Sequence, residues 1–318
     1  DDDYSEFNIK ENMKTKITTS GGKSTMVDLS YEASLTQHDA MADLDPSRYS
    51  PATRRTVARL NLDRINPDLI HACIRWILES FSSTPGAILV FLAGLSDIQN
   101  LLEILPTDPK LSSCVILPLH SLLTSQEQNK VFEIPASPSI RKIILSTNIA
   151  ETGVTIPDVT FVIDSGKEKT STYDESTRTS SLKETPTTSA SATQRKGRAG
   201  RTRPGFCFRL YTFQYSKTLP SHPPPELLRV PLDQLCLHIL SAKFGDPRKF
   251  LSKAITPPTP NAIETAMAHL ERIGALQFEE EKQLPRLTSL GSYLSLLPVD
   301  PHIGKIILFG AAFQVLDP

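Results

Sequence analysis

The sequence predicts an α/β fold in which a parallel sheet carries helices on both faces, followed by a mostly helical part. The first observation is a set of short, continuous apolar runs, such as AILVFLAG at 87–94, which are typical of strands buried on both faces. The second is that these runs alternate with capped helical patterns. Strands that alternate with short helices imply right-handed crossovers and a parallel sheet.

The first two helices are marked by their N-termini. Asn66 suits an N-cap, Pro67 suits the first helical position, and apolar residues recur at helical spacing as far as Phe81. Ser96 with Gln99 forms a capping box, which predicts the start of the helix SDIQNLLEIL.

The other elements of the α/β part follow in the same style. Thr124 with Glu127 forms a second capping box, at the start of TSQEQNKVFE. Further apolar runs predict strands at 114–120, 142–147, 159–166 and 206–212.

The sequence changes character after Tyr211. The proline-rich stretch SHPPPELLRVP leads to two predicted helices, LDQLCLHILSAKF and NAIETAMAHLERIGAL, the second capped by Asn261 and closed by Gly274. ALQFEEEKQLPRLT then predicts a hairpin, and two helices with a hairpin fit a winged-helix module. SLGSYLSLLPVDPHIGKIILFGAAF starts a further helical unit.

Residues 1–55 are rich in Ser, Thr, Asp and Lys without periodicity, which predicts a linker or a mobile insertion. SGGKST at 20–25 is similar to a phosphate-binding loop, but Ile17 stands where such a loop needs glycine and no buried strand precedes it. We therefore expect a plain loop. The chain lacks an initiator methionine and ends abruptly on QVLDP, so we expect both ends to be cuts through a longer protein.

The composition argues against several classes of protein. Hydrophobic residues make up 39% of the 318 residues, enough for globular cores, and no apolar run approaches the roughly 18 residues of a membrane helix. The net charge of −1 argues against a general polyanion binder. The four cysteines lie far apart, without zinc-ligand spacing, so we expect reduced, mostly buried thiols in an intracellular protein and no metal site.

The most informative stretch is QRKGRAGR at 194–201. Arg198 and Arg201 are three residues apart, so at a helix start they project from one face and reach one polyanion together. Gly197 and Gly200 let a phosphate approach the backbone. We expect this stretch at the mouth of the parallel sheet, where guanidinium groups suit a transferring phosphoryl group. The alternative is a solvated basic turn or a non-specific RNA patch.

A second stretch, STNIAETGVTIPDVTFVIDSG at 146–166, places hydroxyl, amide and acidic side chains directly after a buried strand. A loop there can present side chains and N–H groups to a ligand. Ordinary loop chemistry is the alternative for this stretch alone.

Together these two stretches resemble motifs V and VI of superfamily 2 helicases, specifically of the DEAH/RHA group. AILVFLAG is similar to motif IV, LPLHSLLTSQEQNKVFE to motif IVa, and LTSLGSYLSLLPVDPHIGKIILFG to the start of the family's ratchet-like domain. The wording of AETGVTIPDV and ASATQRKGRAGR most resembles the branch that includes the scanning-associated translation-initiation helicase.

The resemblance implies a division of the chain into four parts. After the linker at 1–55, it implies the second RecA-like lobe at 56–215, a winged-helix domain at 216–287 and the start of the ratchet-like domain at 288–318.

The resemblance also implies roles for residues near the triphosphate. Arg198 and Arg201 match the arginine fingers, and Gln194 matches the glutamine near the γ-phosphate and the attacking water. Phe132 matches the phenylalanine that stacks on adenine, although its helical spacing also fits a core residue.

Three residues of motif V are implied to contact the nucleotide. Gly153 and Thr155 match its nucleotide-facing part, and Asp158 is the candidate ribose contact. Many family members have serine where Gly153 stands and aspartate where Pro157 stands, so relaxed base or sugar selectivity is expected.

For RNA, the resemblance implies backbone contacts from Gly94, Thr147 and Asn148, with little base readout. KEKTSTYDESTRTSSLKET matches the hairpin that helps to part strands in this family, and a plain polar surface hairpin is the alternative.

No phosphate-binding loop, D-E-A-H box or S-A-T motif occurs in the 318 residues. These belong to the first RecA-like lobe, which holds Mg²⁺. The resemblance therefore implies the C-terminal part of the motor of an ATP-dependent RNA helicase, with ATP bound between two lobes. Single-stranded RNA, the missing N-terminal lobe and the small ribosomal subunit are the expected partners, without a membrane. The expected location is the cytoplasm, with the nucleus second, and the alternative function is a non-catalytic RNA- or ribosome-binding helicase derivative.

Overall fold

The computed structural model describes residues 14–18, 24–28, 47–59, 61, 64–137, 140–153, 155–174, 179–279 and 284–315. The chain divides into two compact units, one of residues 1–169 with 184–222 and the other of residues 170–183 with 223–318.

The strands, in chain order, are β1 (Lys14–Thr18), β2 (Ser24–Asp28), β3 (Ala87–Phe91), β4 (Cys114–Leu119), β5 (Arg141–Ser146), β6 (Val159–Asp164), β7 (Lys167–Asp174), β8 (Thr179–Pro186), β9 (Phe206–Arg209), β10 (Leu276–Phe278) and β11 (Pro285–Leu287). The α-helices are α1 (Pro51–Arg59), α2 (Pro67–Ser80), α3 (Leu95–Ile104), α4 (Ser125–Asn129), α5 (Ser189–Arg198), α6 (Phe213–Thr218), α7 (Asp233–Ser241), α8 (Pro247–Leu251), α9 (Pro260–Arg272), α10 (Ser289–Leu294) and α11 (Pro301–Ala312).

The first unit contains the predicted parallel sheet. Its five strands lie in the order β4-β5-β3-β6-β9, and every neighbouring pair is parallel. Every residue of β3 and β6 is buried, which explains why both strands read as continuous apolar runs. The predicted fold class is confirmed.

The core of the first unit lies on both faces of this sheet, because successive side chains of a strand point to opposite faces. On one face, Ile88 of β3 packs in a cluster with Ile74 of α2. On the other face, Leu89 packs in a cluster with Val131 and Ala199. This second face carries the site described below.

Two of the four predicted helix caps are confirmed. Asn66 caps α2, since its Oδ1 accepts a hydrogen bond from the Leu69 N–H at 3.1 Å. Thr124 and Glu127 form the predicted capping box of α4, with the Thr124 N–H donating to Glu127 Oε2 at 2.9 Å.

The predicted capping box of Ser96 with Gln99 is wrong. Helix α3 begins one residue earlier, at Leu95, and the Gly94 N–H donates to Asp97 Oδ2 at 3.0 Å. The aspartate satisfies the exposed amide at the helix start, so the serine is already inside the helix.

The predicted cap at Asn261 is also wrong. Helix α9 begins at Pro260, and the Thr259 hydroxyl accepts a hydrogen bond from the Ala262 N–H at 3.1 Å. Proline at the first helical position requires the cap to precede it. The predicted end is in place, because Gly274 has a left-handed φ of 80° just beyond the helix.

A two-stranded hairpin and a helix lie in or near the segment predicted as a linker. Strands β1 and β2 pair antiparallel, with Ile17 opposite Thr25, and helix α1 begins at Pro51. Neither has a sequence signal, because each strand is only five residues long and largely polar. Of SGGKST, residues 20–23 lie outside the described part of the chain. Ser24 and Thr25 begin a strand, whereas a phosphate-binding loop opens a helix there.

The second unit has its own core. Cys236 and Leu237 of α7, Met267 and Leu270 of α9, and Leu276 of β10 belong to one buried cluster. The predicted hairpin is formed by β10 and β11, which pair antiparallel. The assignment of these elements to a winged-helix domain stays a prediction.

The stretch predicted as a strand-parting hairpin forms the two-stranded sheet of β7 and β8. Residues 175–178 between them lie outside the described ranges. Among the residues that the structure describes, no helix is both long and apolar enough to cross a membrane. All four cysteines are free thiols, although only Cys236 is fully buried.

Candidate nucleotide-binding site

The stretch QRKGRAGR lies at the end of a helix and not at its start. Helix α5 begins after Thr188, whose hydroxyl accepts a hydrogen bond from the Ser191 N–H at 3.1 Å, and it ends at Arg198. Arg201 lies in the turn beyond. The prediction that both arginines project from the face of a helix start is therefore wrong, because the small residues of SASAT already form the first turns.

The sequence predicted QRKGRAGR at the mouth of the sheet, which is the edge formed by the carboxyl ends of the strands. The end of α5 lies instead at the opposite edge, formed by their amino ends. Helix α5 starts beside the carboxyl end of β6, where the Thr187 N–H donates to the Gly166 carbonyl at 2.9 Å. Beyond the helix, the Thr202 hydroxyl donates to the Pro157 carbonyl at 2.8 Å, two residues before β6 begins. A crossover must return the chain to the amino end of the next parallel strand, so α5 carries its last turn to that edge.

This turn brings the two informative stretches into contact. The Arg201 guanidinium donates a hydrogen bond to the Thr155 hydroxyl. Arg198 is the last residue of α5, three positions before Arg201. Burial and then repulsion by Arg201 lower the pKa of its guanidinium, while Glu151 opposes the shift. A guanidinium group is a permanent cation at neutral pH. Two cations and a hydroxyl therefore converge at the amino edge, a donor set that suits a polyphosphate.

Arg195, one turn earlier in α5, is the residue that sequence reasoning missed. Its side chain is 1% exposed, its Nε lies 2.6 Å from Glu151 Oε1, and one terminal nitrogen lies 2.8 Å from Asp164 Oδ1. The guanidinium also lies over the Phe91 ring, 5.2 Å from its centre. Burial by itself lowers the pKa of Arg195, but Asp164 and Glu151 outweigh it and raise that pKa. Arg195 thus joins α5 to the strand and loop beneath it.

A signal for this buried arginine exists in the sequence. Ala192, Arg195 and Ala199 fall at helical spacing and are all buried, so they form the face of α5 that packs on the sheet. Arg198 is offset from that face and is only partly buried.

Asp158, the predicted ribose contact, has a structural partner. Its carboxylate is buried and lies 2.8 Å from the Lys142 ammonium, whose side chain is 2% exposed. The same ammonium donates to the carbonyls of Val131 at 2.7 Å and Glu133 at 2.8 Å. A direct contact of Asp158 with ribose therefore requires the carboxylate to serve a second partner.

Phe132 lies between these two carbonyls, at the end of the 3-10 helix Lys130–Phe132. Its side chain is 37% exposed, whereas that of Val131 is fully buried. The alternative that Phe132 is a core residue is therefore not supported. Because Lys142 is near the start of β5, Phe132 lies at the same edge of the sheet as Thr155.

Gln194 and Gly153 are both exposed. Gln194 lies on α5 one turn before Arg198. Gly153 has a φ of 73°, a left-handed conformation that side chains adopt rarely, and a Cβ there would meet only open space. The left-handed backbone conformation thus explains why glycine occupies position 153.

The three predicted RNA-contact residues lie at the other, carboxyl edge of the sheet. Gly94 follows β3, and Thr147 and Asn148 follow β5. The two strand ends are adjacent, since the Leu92 N–H donates to the Ser146 carbonyl at 2.8 Å. The Lys169 side chain crosses over Gly94. The structure brings these three together but separates them from Arg198 and Arg201.

Several known proteins are similar to this chain. A family model described as the helicase conserved C-terminal domain matches residues 68–203, which run from α2 to the turn after α5. The crystal structure of the Escherichia coli DEAH/RHA helicase HrpB superposes with a TM-score of 0.66 at 29% identity, covering 76% of this chain and 29% of that one. Residues 68–203 thus match a helicase C-terminal domain, and the chain is similar to a helicase of the DEAH/RHA group.

Two curated relatives extend the comparison. The ATP-dependent RNA helicase DHX29 of Homo sapiens is 47% identical over 288 residues, which are 89% of this chain and 21% of that protein. The ATP-dependent DNA/RNA helicase DHX36 of Rattus norvegicus is 42% identical over 274 residues, 86% of this chain and 27% of that protein. The chain thus spans about a fifth to a quarter of the length of these relatives.

Proposed function

We propose that this chain forms the second lobe of an ATP-dependent RNA helicase motor and supplies arginine fingers to ATP bound between two lobes. The observation that carries the proposal is the contact of Arg201 with Thr155 beside Arg198. Permanently charged, planar guanidinium groups suit the oxygens of a transferring phosphoryl group. The names of the relatives, ATP-dependent helicases, support the same proposal.

The proposed roles follow from position. Arg198 and Arg201 hold the charge that develops on the phosphoryl oxygens, and Gln194 orients the attacking water. Phe132 stacks on the base, and Thr155 and Gly153 lie along the nucleotide. The donors at this edge are cationic, so they fit phosphate oxygens and not the Mg²⁺ that accompanies ATP. We propose that the first lobe holds most of that metal's ligands.

At the carboxyl edge, we propose that Gly94, Thr147 and Asn148 contact the backbone of single-stranded RNA. Lys169 adds a positive charge beside them, and phosphate contacts of this kind bind with little sequence preference. The proposed role in translation initiation at the small ribosomal subunit, in the cytoplasm, is supported by the wording of AETGVTIPDV and ASATQRKGRAGR.

The experiment measures RNA-stimulated ATP hydrolysis in the longest natural protein that contains this chain. Arg201→Ala is expected to lower kcat by about three to five powers of ten, as for loss of an arginine finger. Arg203→Ala is the matched control, the same change at an exposed arginine two residues further on, and kcat should stay within about twofold. Equal losses contradict the finger role. A wild-type protein that binds RNA without hydrolysing ATP favours the non-catalytic RNA- or ribosome-binding alternative.

The 318-residue chain alone is expected neither to hydrolyse ATP nor to unwind RNA, because its sequence lacks the phosphate-binding loop and the D-E-A-H box. Phosphate release by the purified chain checks this expectation. Turnover that Arg201→Ala abolishes would contradict it.

A further inference from the structure

We infer that Lys142 is a positioning residue that fixes Phe132 relative to the motif V loop and so determines how the nucleotide base is held. The inference rests on the proposed function, because it concerns the same ATP site. It adds a residue to which the helicase resemblance assigned no role.

The ammonium of Lys142 has three oxygen partners. It lies 2.8 Å from Asp158 Oδ1, 2.7 Å from the Val131 carbonyl and 2.8 Å from the Glu133 carbonyl. It donates hydrogen bonds to the two carbonyls and forms an ion pair with the Asp158 carboxylate. Lys142 is otherwise placed like a core residue, since it lies in β5 two positions before the buried Ile144 and points to the same face.

The two carbonyl contacts hold the backbone on both sides of Phe132. They pin the short 3-10 turn in one orientation, in which Val131 fills the core and the Phe132 ring is left 37% exposed. Without the ammonium, the buried Val131 carbonyl and the partly buried Glu133 carbonyl lose their partner, and a single-turn 3-10 helix has little hydrogen bonding of its own. The orientation of the ring therefore depends on Lys142.

The third contact connects this turn to motif V. Asp158 lies three residues after Thr155, whose hydroxyl accepts a hydrogen bond from Arg201. It also follows Pro157 directly, and the Pro157 carbonyl accepts a hydrogen bond from the Thr202 hydroxyl. Lys142 thus joins the turn that carries the base-stacking ring to the loop that meets the arginine. A change at Lys142 should move the ring relative to the phosphate-binding residues without removing any group proposed to touch the triphosphate.

The test compares ATP with inorganic triphosphate, which has neither a base to stack nor a ribose for Asp158 to contact, as substrates of the longest natural protein that contains this chain. The pair variant Lys142→Met with Asp158→Asn removes both charges, so that no buried carboxylate is left unpaired. We expect the pair variant and Phe132→Ala each to raise the KM for ATP about tenfold, the size of one lost base-stacking contact. The kcat should stay within about twofold, and the KM for inorganic triphosphate should not change.

A double-mutant cycle shows whether Lys142 acts through Phe132. If it does, the pair variant combined with Phe132→Ala has the same KM for ATP as Phe132→Ala alone. The matched control is Lys110→Met, which breaks an exposed ion pair with Glu79 in the same unit and should leave both KM values unchanged. Thermal unfolding checks that each variant folds. If the pair variant does not fold, Asp158→Asn replaces it and a smaller rise in the KM for ATP is expected.

Two results overturn the inference while leaving the proposed function intact. One is an equal rise in KM for both substrates, and the other is an additive effect of the pair variant and Phe132→Ala. If the wild-type protein hydrolyses neither substrate, the proposed function itself fails.

Discussion

The Arg201 guanidinium donates a hydrogen bond to the Thr155 hydroxyl, although 46 positions separate the two residues in the sequence. The contact joins the turn after α5 to the loop before β6. A cation held by such a partner is already oriented, and an oriented charge stabilises a developing charge without having to reorganise during the reaction. We therefore expect Thr155 to contribute to ATP hydrolysis by orienting the Arg201 guanidinium.

Thr155→Val should lower the kcat of ATP hydrolysis by about tenfold, since it removes a hydrogen bond to a charged group and keeps the side-chain volume. In an Arg201→Ala background the same change should have no further effect. Steady-state ATP hydrolysis by the longest natural protein with this chain measures both. Thr193→Val is the control, because that hydroxyl donates to the Ser189 carbonyl within α5 at 2.8 Å. Additive losses from Thr155→Val and Arg201→Ala would contradict the coupling.

Arg195→Met should destabilise the first unit by about 3–5 kcal/mol, because it leaves the carboxylates of Asp164 and Glu151 buried without their cation. The free energy of unfolding of Arg195→Lys should lie between those of the wild type and Arg195→Met, since one ammonium cannot reproduce the forked guanidinium that reaches both carboxylates. Urea unfolding of the chain measures the free energies.

The matched control for Arg195 is Arg248→Met in the second unit. Arg248 pairs with Glu264 at 2.6 Å, but the Glu264 side chain is 55% exposed, and exposed pairs contribute about 0–1 kcal/mol. A loss at Arg195 no larger than that at Arg248 would show that the buried cluster is not a structural centre.

The sheet could be predicted from the sequence because β3, β5 and β6 are buried on both faces and leave continuous apolar runs. Motifs V and VI could be found because their residues are local in sequence. The direction of α5 relative to the site could not be predicted from the sequence. That direction depends on Thr188 starting the helix and on the chain returning to the amino edge, and neither changes the spacing of Arg198 and Arg201.

The roles of individual charged residues were harder still to predict. Arg195 and Arg198 are similar in sequence, yet one is 1% exposed and the other is only partly buried. In the sequence, Lys142 looks like an exposed lysine at the start of a strand. Its partners, Asp158 and the carbonyls around Phe132, are distant in sequence, so no local pattern reveals that it is buried.

Two glycine-to-alanine substitutions should differ in their effect on stability. A Cβ on Gly205 would lie 2.4 Å from the Ala199 and Thr160 carbonyl oxygens, whereas one on Gly94 would lie 2.6 Å from the flexible end of Lys169. Gly205→Ala should therefore destabilise the chain by about 1–3 kcal/mol, because backbone atoms must move. Gly94→Ala should change its stability little but displace Lys169.

The displaced Lys169 should weaken the binding of single-stranded RNA. Fluorescence anisotropy at a fixed salt concentration measures that affinity, and urea unfolding measures the stability of both variants. An RNA affinity unchanged by Gly94→Ala would contradict the proposed contact at the carboxyl edge.

The buried thiols should make the chain less stable at alkaline pH. Burial raises the pKa of Cys73 to about 12, and burial together with Asp233 and Asp246 raises that of Cys236 to about 12, from an ordinary value of 9.0. Between pH 9 and 12 the folded chain keeps these protons while the unfolded chain releases them, so the free energy of unfolding falls as the pH rises. Below pH 9 this stabilisation is fully present.

Urea unfolding at several pH values between 8 and 11 tests this expectation in the wild type and in Cys73→Ala with Cys236→Ala. The double variant should lose less stability as the pH rises. A residual slope is expected, because burial also raises the pKa of Tyr211. Iodoacetamide should modify the native thiols slowly at pH 8 and the urea-unfolded thiols quickly, since only thiolates react. An equal pH slope in both proteins would mean that the two thiols do not titrate with unfolding.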